Sequence, residues 1–243
     1  MTRGELGIDD EQFVDLLMEL IRIPSPSGEE GSLARFLLDR LPAMGWDEVS
    51  IDGQHNVVAR IRGSGGGPTV LLLSHLDAAG PGTMERPLEP IRLDGAPFGK
   101  RGQIVRGRGA VAPKGALAAL IAAGSRLRRG AERPAGDIVL AGVARDLFAN
   151  HDGIRAVHEA GLTADFAIAG EPTENRAVIG ARGIARFDVT FRGVPAHAGD
   201  PDRGVNPIPL MAAFLVEVER GEAKPNSRGE HPQLGRATLS PLS

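Results

Sequence analysis

The sequence predicts an α/β fold in which a central sheet is flanked by helices, followed by part of a smaller α+β domain. Two observations carry this prediction. Segments with helical periodicity alternate with short apolar strands from Phe13 to Ala169, the order expected of an α/β sheet domain. After Ile179 the pattern changes to an alternating strand, a helix and a second short strand. We therefore assign residues 1–180 to the first domain and residues 181–243 to an incomplete second domain.

Four segments of the first domain are predicted to be helices. In the first of them, apolar residues recur at the i, i+3, i+4 and i+7 spacing of an amphipathic helix. Pro24 stops the first helix, and Gly45 suits the C-terminal cap of the second. The four helices are centred on residues 13–21, 33–41, 116–123 and 154–157.

Five short apolar runs of the first domain are typical of strands. They cover residues 49–51, 57–61, 70–74, 138–143 and 166–169. The run from Val70 to Leu73 is apolar on both faces, so we expect a central strand that helices cover on each side. In the second domain the pattern predicts a strand at 184–191, a helix at 207–220 and a strand that begins at 237–239.

Composition and charge exclude several classes of partner. The 28 Lys and Arg residues nearly balance the 31 Asp and Glu residues, so no general positive field attracts nucleic acid or an anionic membrane. No apolar stretch reaches the ~18 residues of a membrane span, and the polar start lacks the apolar core of a signal peptide. We expect a cytoplasmic protein with neither nucleic acid nor membrane as a partner.

The first chemical motif, Ser74-His75-Leu76-Asp77, follows the predicted central strand. Ligands of α/β sheets bind at the carboxyl ends of strands, and a His two residues before an Asp can hold a metal while the Asp orients its ring. Because the sequence contains no cysteine, any metal must be bound by His, Asp and Glu. A single His-x-Asp pair also occurs in structural roles, so this motif alone leaves both interpretations open.

Two later loops carry further candidates. Residues 107–115 form a glycine-rich turn into a helix, but Lys114 precedes Gly115 and the Gly-Lys-Ser/Thr ending of a phosphate-binding loop is missing. Residues 170–173, Gly-Glu-Pro-Thr, follow a strand and offer Glu171 as an oxygen ligand. Taken alone, the second loop is more simply interpreted as a helix-capping turn.

In combination, the motifs occur in one order and resemble those of the zinc aminopeptidase-like amidohydrolases. That family includes acetylornithine deacetylase, succinyl-diaminopimelate desuccinylase, aminoacylases and glutamate carboxypeptidases. Besides the motifs above, the resemblance rests on residues 23–27, 53–56, 97–98, 195–201 and 204–206. It implies a phosphorylase/hydrolase-like catalytic domain with a central mixed sheet, and a ferredoxin-like lid through which a homodimer forms. It also implies two metal ions, usually zinc, that act on an amide bond of an N-acyl amino acid or small peptide.

The resemblance assigns roles to individual residues. His75 and Glu171 resemble ligands of one metal ion, and Asp77 resembles the carboxylate that orients His75. His197 resembles the lid histidine that stabilises the oxyanion, often from the partner subunit. Asn206 resembles a lid residue that binds substrate.

The sequence departs from the family pattern where the other metal ligands are expected. The bridging aspartate is replaced by Ala112, and the family's Glu-Glu pair aligns with Asp146 and Leu147. Asp146 can still act as the general base, whereas Ala112 and Leu147 cannot bind a metal. His151 and Asp152 are alternative ligands, although a helix that begins there with Asp152 as its cap is the simpler interpretation.

Loss of these carboxylates changes the expected metal content. Two divalent ions about 3.5 Å apart repel by roughly 19 kcal/mol at an effective dielectric near 20. The family's last histidine ligand belongs to a C-terminal segment that this sequence does not contain. We therefore expect at most one weakly bound zinc ion. Two functions follow: an amide-cleaving hydrolase with an incomplete metal site, or an inactive relative that acts as a binding or dimerising subunit.

Overall fold

The computed structural model describes residues 9–130, 132–147, 151–220 and 230–241. The chain divides into two compact units, Met1–Glu174 and Asn175–Ser243. The helices of the first unit are α1 (Asp10–Arg22), α2 (Gly31–Ala43), α3 (Lys114–Arg129) and α4 (Asp152–Glu159). Its strands are β1 (Glu48–Ile51), β2 (Val57–Ile61), β3 (Val70–His75), β4 (Ile91–Asp94), β5 (Gln103–Arg106), β6 (Ile138–Val143) and β7 (Phe166–Ala169).

Five of these strands form one sheet in the order β1-β2-β6-β3-β7. β2 is antiparallel to both of its neighbours, whereas β6, β3 and β7 run parallel to one another. Helices α1, α2 and α3 contribute apolar side chains to the main core, where they pack with residues of β2 and β6. The predicted fold class, a central mixed sheet flanked by helices, is confirmed.

β3 is an interior strand as predicted, but β6 occupies the centre of the sheet. All six residues of β6 are buried, because β2 and β3 pair with its edges and apolar clusters lie on both of its faces. Leu72 of β3 belongs to the main core, whereas Leu71 and Leu73 pack beside the smaller cluster that includes Val157 of α4. Both of these leucines are half-buried.

Local sequence explains where the first helices begin and end. Asp9 accepts a 2.7 Å hydrogen bond from the N–H of Gln12, and the Gln12 side chain accepts from the N–H of Asp9, which forms a capping box at the start of α1. The helix gives way to extended backbone at Ile23, since a residue before proline avoids the helical region. Gly45 follows α2 with φ of 95°, the left-handed conformation expected after a helix.

β4 and β5 form a separate hairpin that the sequence analysis did not predict. Both strands have only four residues, and charged side chains interrupt their apolar pattern. Arg92 of β4 forms ion pairs with Glu11 and Asp15 of α1. These pairs attach the hairpin to the helix.

The second unit contains α5 (Pro207–Arg220), which spans the residues predicted. The strand predicted at 184–191 was wrong: these residues are largely exposed and form no ladder within the described part of the chain, and neither do residues 237–239. A strand is stable when neighbours pair with its backbone and cover one face. In the described part of this unit such pairing is limited to the bridges Val194–Val205 and His231–Gly235. Among all described residues, no helix has the length and apolar character needed to cross a membrane.

Candidate active site

The turn that follows β3 is held in place by the segment before α2. The Ser25 hydroxyl donates to the carbonyl of Leu76 (2.9 Å), and the N–H of Ala78 donates to the carbonyl of Ser25 (2.8 Å). The N–H of Leu76 continues the pairing with β6 by donating to Val143. His75 and Asp77 therefore lie at the carboxyl end of an interior strand, on a backbone that these hydrogen bonds hold to neighbouring segments.

Asp77 is fully buried and accepts four hydrogen bonds. The donors are the His75 ring at 3.0 Å, the Ser27 hydroxyl at 2.6 Å, and the backbone N–H groups of Asp146 at 3.2 Å and Leu147 at 2.8 Å. Burial by itself would raise the pKa of Asp77, but these donors outweigh it and lower the pKa to about 2. Asp77 is therefore an ionised carboxylate at neutral pH.

His75 is oriented by this carboxylate. Because Asp77 is ionised, Nδ1 of His75 carries the hydrogen and donates it, so Nε2 has a lone pair when the ring is neutral. Burial lowers the pKa of His75, but the hydrogen bond to Asp77 and the nearby negative charges outweigh burial, so that the pKa is raised. The charges are those of Asp77, Asp146 and Glu171.

Glu171 lies beside His75, as the two parallel strands that precede them require. β3 and β7 are adjacent, and the N–H of Gly170 donates to the carbonyl of Leu73. Oε1 of Glu171 is 3.9 Å from Nε2 of His75, and the glutamate side chain is 54% exposed. The structure thus brings together the two residues predicted as metal ligands. A turn in which Thr173 donates to the carbonyl of Glu171 follows, and no helix begins there.

Asp146 lies in the loop after β6, where its backbone is tied to Asp77 and its side chain to His151. Nδ1 of His151 is 2.9 Å from Oδ1 of Asp146. His151 has φ of 58° and is itself the residue that precedes α4, so the prediction that Asp152 caps this helix was wrong. Asp152 already has helical backbone, and its charge favours the first turn through the helix dipole instead.

The two positions at which the sequence departs from the family pattern contribute no metal-binding side chain. Ala112 is exposed in the turn before α3, and Leu147 offers its backbone N–H to Asp77. Within the described residues, no group of three or more His, Asp and Glu side chains is arranged to share one metal ion.

The two site residues predicted in the second unit line one cavity. His197 and Asn206 lie on the wall of a pocket of about 340 Å³, which residues 193–196 and their neighbours also line. Nδ1 of His197 accepts the N–H of Gly199 (3.1 Å), so the neutral ring carries its hydrogen on Nε2 and can donate it. Oδ1 of Asn206 accepts the N–H of Ile208 (3.0 Å) at the start of α5. This bond uses the Asn206 oxygen and leaves its amide hydrogens for a ligand.

Sequence reasoning did not assign the residues that support this site from distant segments. Ser27 donates to Asp77, and buried Asn56 accepts the N–H of Ala144 (2.8 Å) at the end of β6. Both lie in short motifs, 23–27 and 53–56, that contributed to the resemblance. The presence of these polar residues inside the two motifs was the sequence signal from which their supporting role could have been predicted.

Comparison with known proteins agrees with the motifs. Residues 179–241 match the M20 peptidase dimerisation domain. A probable carboxypeptidase of Uncinocarpus reesii is 30% identical over 251 aligned residues, which cover 96% of this chain and 56% of the relative. The chain therefore carries an M20 peptidase dimerisation domain. The motifs had indicated a family of metal-dependent peptidases and amidohydrolases with a dimerising lid, and this match confirms that prediction.

A further relative and two solved structures extend the comparison. The uncharacterized protein YgeY of Escherichia coli K12 is 25% identical over 232 residues, covering 92% of this chain and 54% of YgeY. The crystal structure of a tripeptidase from Staphylococcus aureus shares the fold with a TM-score of 0.55 at 21% identity, covering 88% of this chain and 57% of that one. Aminopeptidase PepT from Bacillus cereus gives a TM-score of 0.56 at 20% identity, with the same coverage. The chain spans about half the length of the curated relatives it matches.

Proposed function

We propose that this chain is a hydrolase of the M20 peptidase type that acts on an amide bond of an N-acyl amino acid or small peptide. We expect its metal site to hold at most one zinc ion, weakly bound. The observation that carries the proposal is the arrangement of Asp77, His75 and Glu171. A buried, ionised carboxylate fixes the ring of His75, and the free nitrogen of that ring lies 3.9 Å from a partly exposed carboxylate.

Nε2 of His75 and the carboxylate oxygens of Glu171 are donor atoms that suit one zinc ion. Imidazole nitrogen and carboxylate oxygen are common zinc ligands with bonds of about 2.0–2.2 Å, and two such atoms on a tetrahedral ion lie about 3.3 Å apart. The 3.9 Å between His75 and Glu171 is close to that distance, and the exposed Glu171 side chain has room to shift. Asp77 then plays the part of the carboxylate that orients a metal-binding histidine.

A second zinc ion does not fit the residues present. Neither Ala112 nor Leu147 offers a donor atom, so the repulsion between two neighbouring dications, roughly 19 kcal/mol at an effective dielectric near 20, would lack the carboxylates that offset it. Two protein ligands also fall short of the three that a catalytic zinc usually has. We expect weak, exchangeable binding.

The chain's own residues supply the remaining chemistry. A zinc ion bound here would polarise the substrate carbonyl and acidify a water molecule. We assign Asp146 the role of general base, which accepts a proton on its carboxylate, and His151 holds that carboxylate by a 2.9 Å hydrogen bond. The family resemblance gives His197 the role of oxyanion donor, often from the partner subunit, and gives Asn206 the role of a residue that binds substrate. The dimerisation domain implies a second copy of the chain as a partner.

A second function, an inactive binding or dimerising subunit, is favoured by Ala112 and Leu147. Zinc content after dialysis and chelator-sensitive hydrolysis of N-acetyl amino acids and dipeptides separate the two. We expect at most one zinc per chain, lost in His75→Ala and retained in the control Asp39→Asn, because Asp39 is exposed on α2. Turnover that a chelator stops supports the hydrolase. One zinc without turnover supports the inactive subunit, and two equivalents with full turnover would contradict the one-ion site.

A further inference from the structure

Glu30, directly before α2, is a buried carboxylate to which the proposed reaction gives no role. It is 0% exposed, although ionisable side chains are rarely buried without a specific function. Its Oε1 accepts the N–H of Gly28 (2.8 Å) and the N–H of Arg145 (2.9 Å), which lies 115 residues away. Oε2 is buried and has no hydrogen-bond partner among the described residues. The carboxylate therefore serves two backbone groups, one of them in the loop that carries Asp146.

The backbone that Glu30 contacts is in an unfavourable conformation. Arg145 has φ of 57°, the left-handed region that residues other than glycine seldom adopt. Such a conformation persists only where surrounding contacts hold it. The hydrogen bond from the Arg145 N–H to a buried carboxylate is a contact of this kind, and the low polarity around it strengthens the bond.

The next two peptide groups point at the other buried carboxylate. The N–H groups of Asp146 and Leu147 both donate to Asp77, at 3.2 and 2.8 Å. Three successive N–H groups, those of residues 145–147, are thus divided between Glu30 and Asp77. The left-handed turn at Arg145 sets the direction in which the chain continues, and so sets where the Asp146 side chain emerges.

We infer that Glu30 is a positioning residue: by holding the Arg145 peptide, it keeps the loop on Asp77 and places the Asp146 carboxylate beside His151. This inference rests on the proposed function, which gives Asp146 its chemical role. Without Glu30, the strained turn loses a charge-assisted hydrogen bond, and the loop is free to leave Asp77. The Asp146 carboxylate, whose negative charge acts on His75, then moves away. A zinc ion bound by His75 and Glu171 is therefore held less tightly.

Amide hydrogen exchange measured by NMR tests the geometric part. Glu30→Ala should accelerate exchange at Asp146 and Leu147 at least about tenfold, although Glu30 touches neither amide, while amides of β3 keep their wild-type rates. Glu30→Gln retains an acceptor oxygen and should restore most of the protection. Glu30→Asp keeps the charge but withdraws the carboxylate by one methylene, so it should resemble Glu30→Ala. The control is Glu29→Gln, since Glu29 is exposed. If Glu30→Ala does not fold, the contrast between the Asp and Gln variants decides.

Zinc titration of the same variants tests the link to the proposed zinc site at His75 and Glu171. Zinc affinity should fall severalfold in Glu30→Asp and recover in Glu30→Gln. Wild-type exchange at Asp146 and Leu147 in the Ala and Asp variants would overturn the inference, as would an acceleration spread equally over β3. If the wild-type chain binds no zinc, the proposed function fails, and the exchange rates still decide whether Glu30 holds the loop.

Discussion

The backbone N–H of Leu147 donates a 2.8 Å hydrogen bond to Oδ2 of Asp77, a residue 70 positions earlier in the chain. Leu147 occupies a position at which the family resemblance leads us to expect a metal-binding carboxylate. Its side chain cannot bind a metal, but its backbone still fixes the carboxylate that orients His75. The backbone hydrogen bond that supports the site is therefore present at a position where the metal-binding side chain is missing.

Asp77 should be a major determinant of stability. Asp77→Asn removes the charge that four donors face, and we expect the free energy of unfolding at pH 7 to fall by about 2–3 kcal/mol. Urea denaturation measures the change. The exposed residue Asp39 provides the control, and Asp39→Asn should change stability by less than about 0.5 kcal/mol. Equal effects of the two substitutions would contradict the prediction.

The same carboxylate predicts how stability depends on acidity. The pKa of Asp77 is about 2 in the folded chain and 3.8 as an ordinary value, so the unfolded chain takes up its proton first as the pH falls. The stabilisation is complete above about pH 4 and is lost as the pH falls toward 2. Stability of the wild type should therefore decline more steeply over this range than that of Asp77→Asn. Parallel curves would show that other carboxylates dominate.

Lys114 predicts a second rise of stability with pH, this time in the alkaline range. Its side chain is 1% exposed, and its Nζ donates to the carbonyl of Ile23 (2.5 Å). Burial lowers its pKa to about 8. An unfolded lysine keeps its proton to about pH 10.4, so between these values the unfolded chain binds more protons and stability rises with pH.

We expect an increase of at most about 3 kcal/mol between pH 7.5 and 10. The sequence contains neither Tyr nor Cys, so few other side chains titrate in this range. Urea denaturation of Lys114→Met should show little of this rise, whereas Lys100→Met, at an exposed position, should keep it. A rise of equal size in the Lys114 variant would contradict the assignment.

Local patterns predicted most of the fold, because each pattern records a direct physical requirement. The strands of the main sheet and the helices follow from apolar periodicity, as at Val157 of α4 and Leu72 of β3. The β4–β5 hairpin was not predicted, because its strands are short and its ion pairs with α1, such as Arg92 with Asp15, join residues far apart in sequence. The prediction of a strand at 184–191 was wrong, because alternation predicts a strand only where a neighbouring strand is available to pair with it.

The site was predictable to the extent that its contacts are local or follow from strand order. His75 and Asp77 are two residues apart, and Glu171 follows a strand parallel to β3. The roles of Glu30 and Asn56 could not be predicted in this way. Each side chain accepts a backbone N–H about a hundred residues away, and the sequence does not indicate which backbone group a distant side chain binds. Their burial becomes visible only in the folded chain.

Restoring the missing carboxylates should raise the metal content. Because the two lost donors are those of Ala112 and Leu147, we expect the double variant Ala112→Asp/Leu147→Glu to bind more zinc after dialysis than the wild type. Either single variant should gain less, since one carboxylate offsets less of the repulsion between two ions. Elemental analysis measures zinc per chain. The same double variant built on His75→Ala is the control, and an unchanged zinc content on the wild-type background would show that these positions do not lie at a metal site.

The second unit should be the less stable part of the chain. Ile184 and Phe187 are 82% and 77% exposed, and residues 184–191 pair with no strand in the part of the chain that the structure describes. By contrast, β3 pairs with a strand on each side. Amide exchange at residues 184–220 should therefore be faster than at 70–73, because it requires only local opening. The exposed apolar residues of α5, among them Phe214, give a second copy of the chain a surface to cover, so protection in this unit should increase with protein concentration. Protection equal to that of β3 at every concentration would show that this unit is stable without a partner.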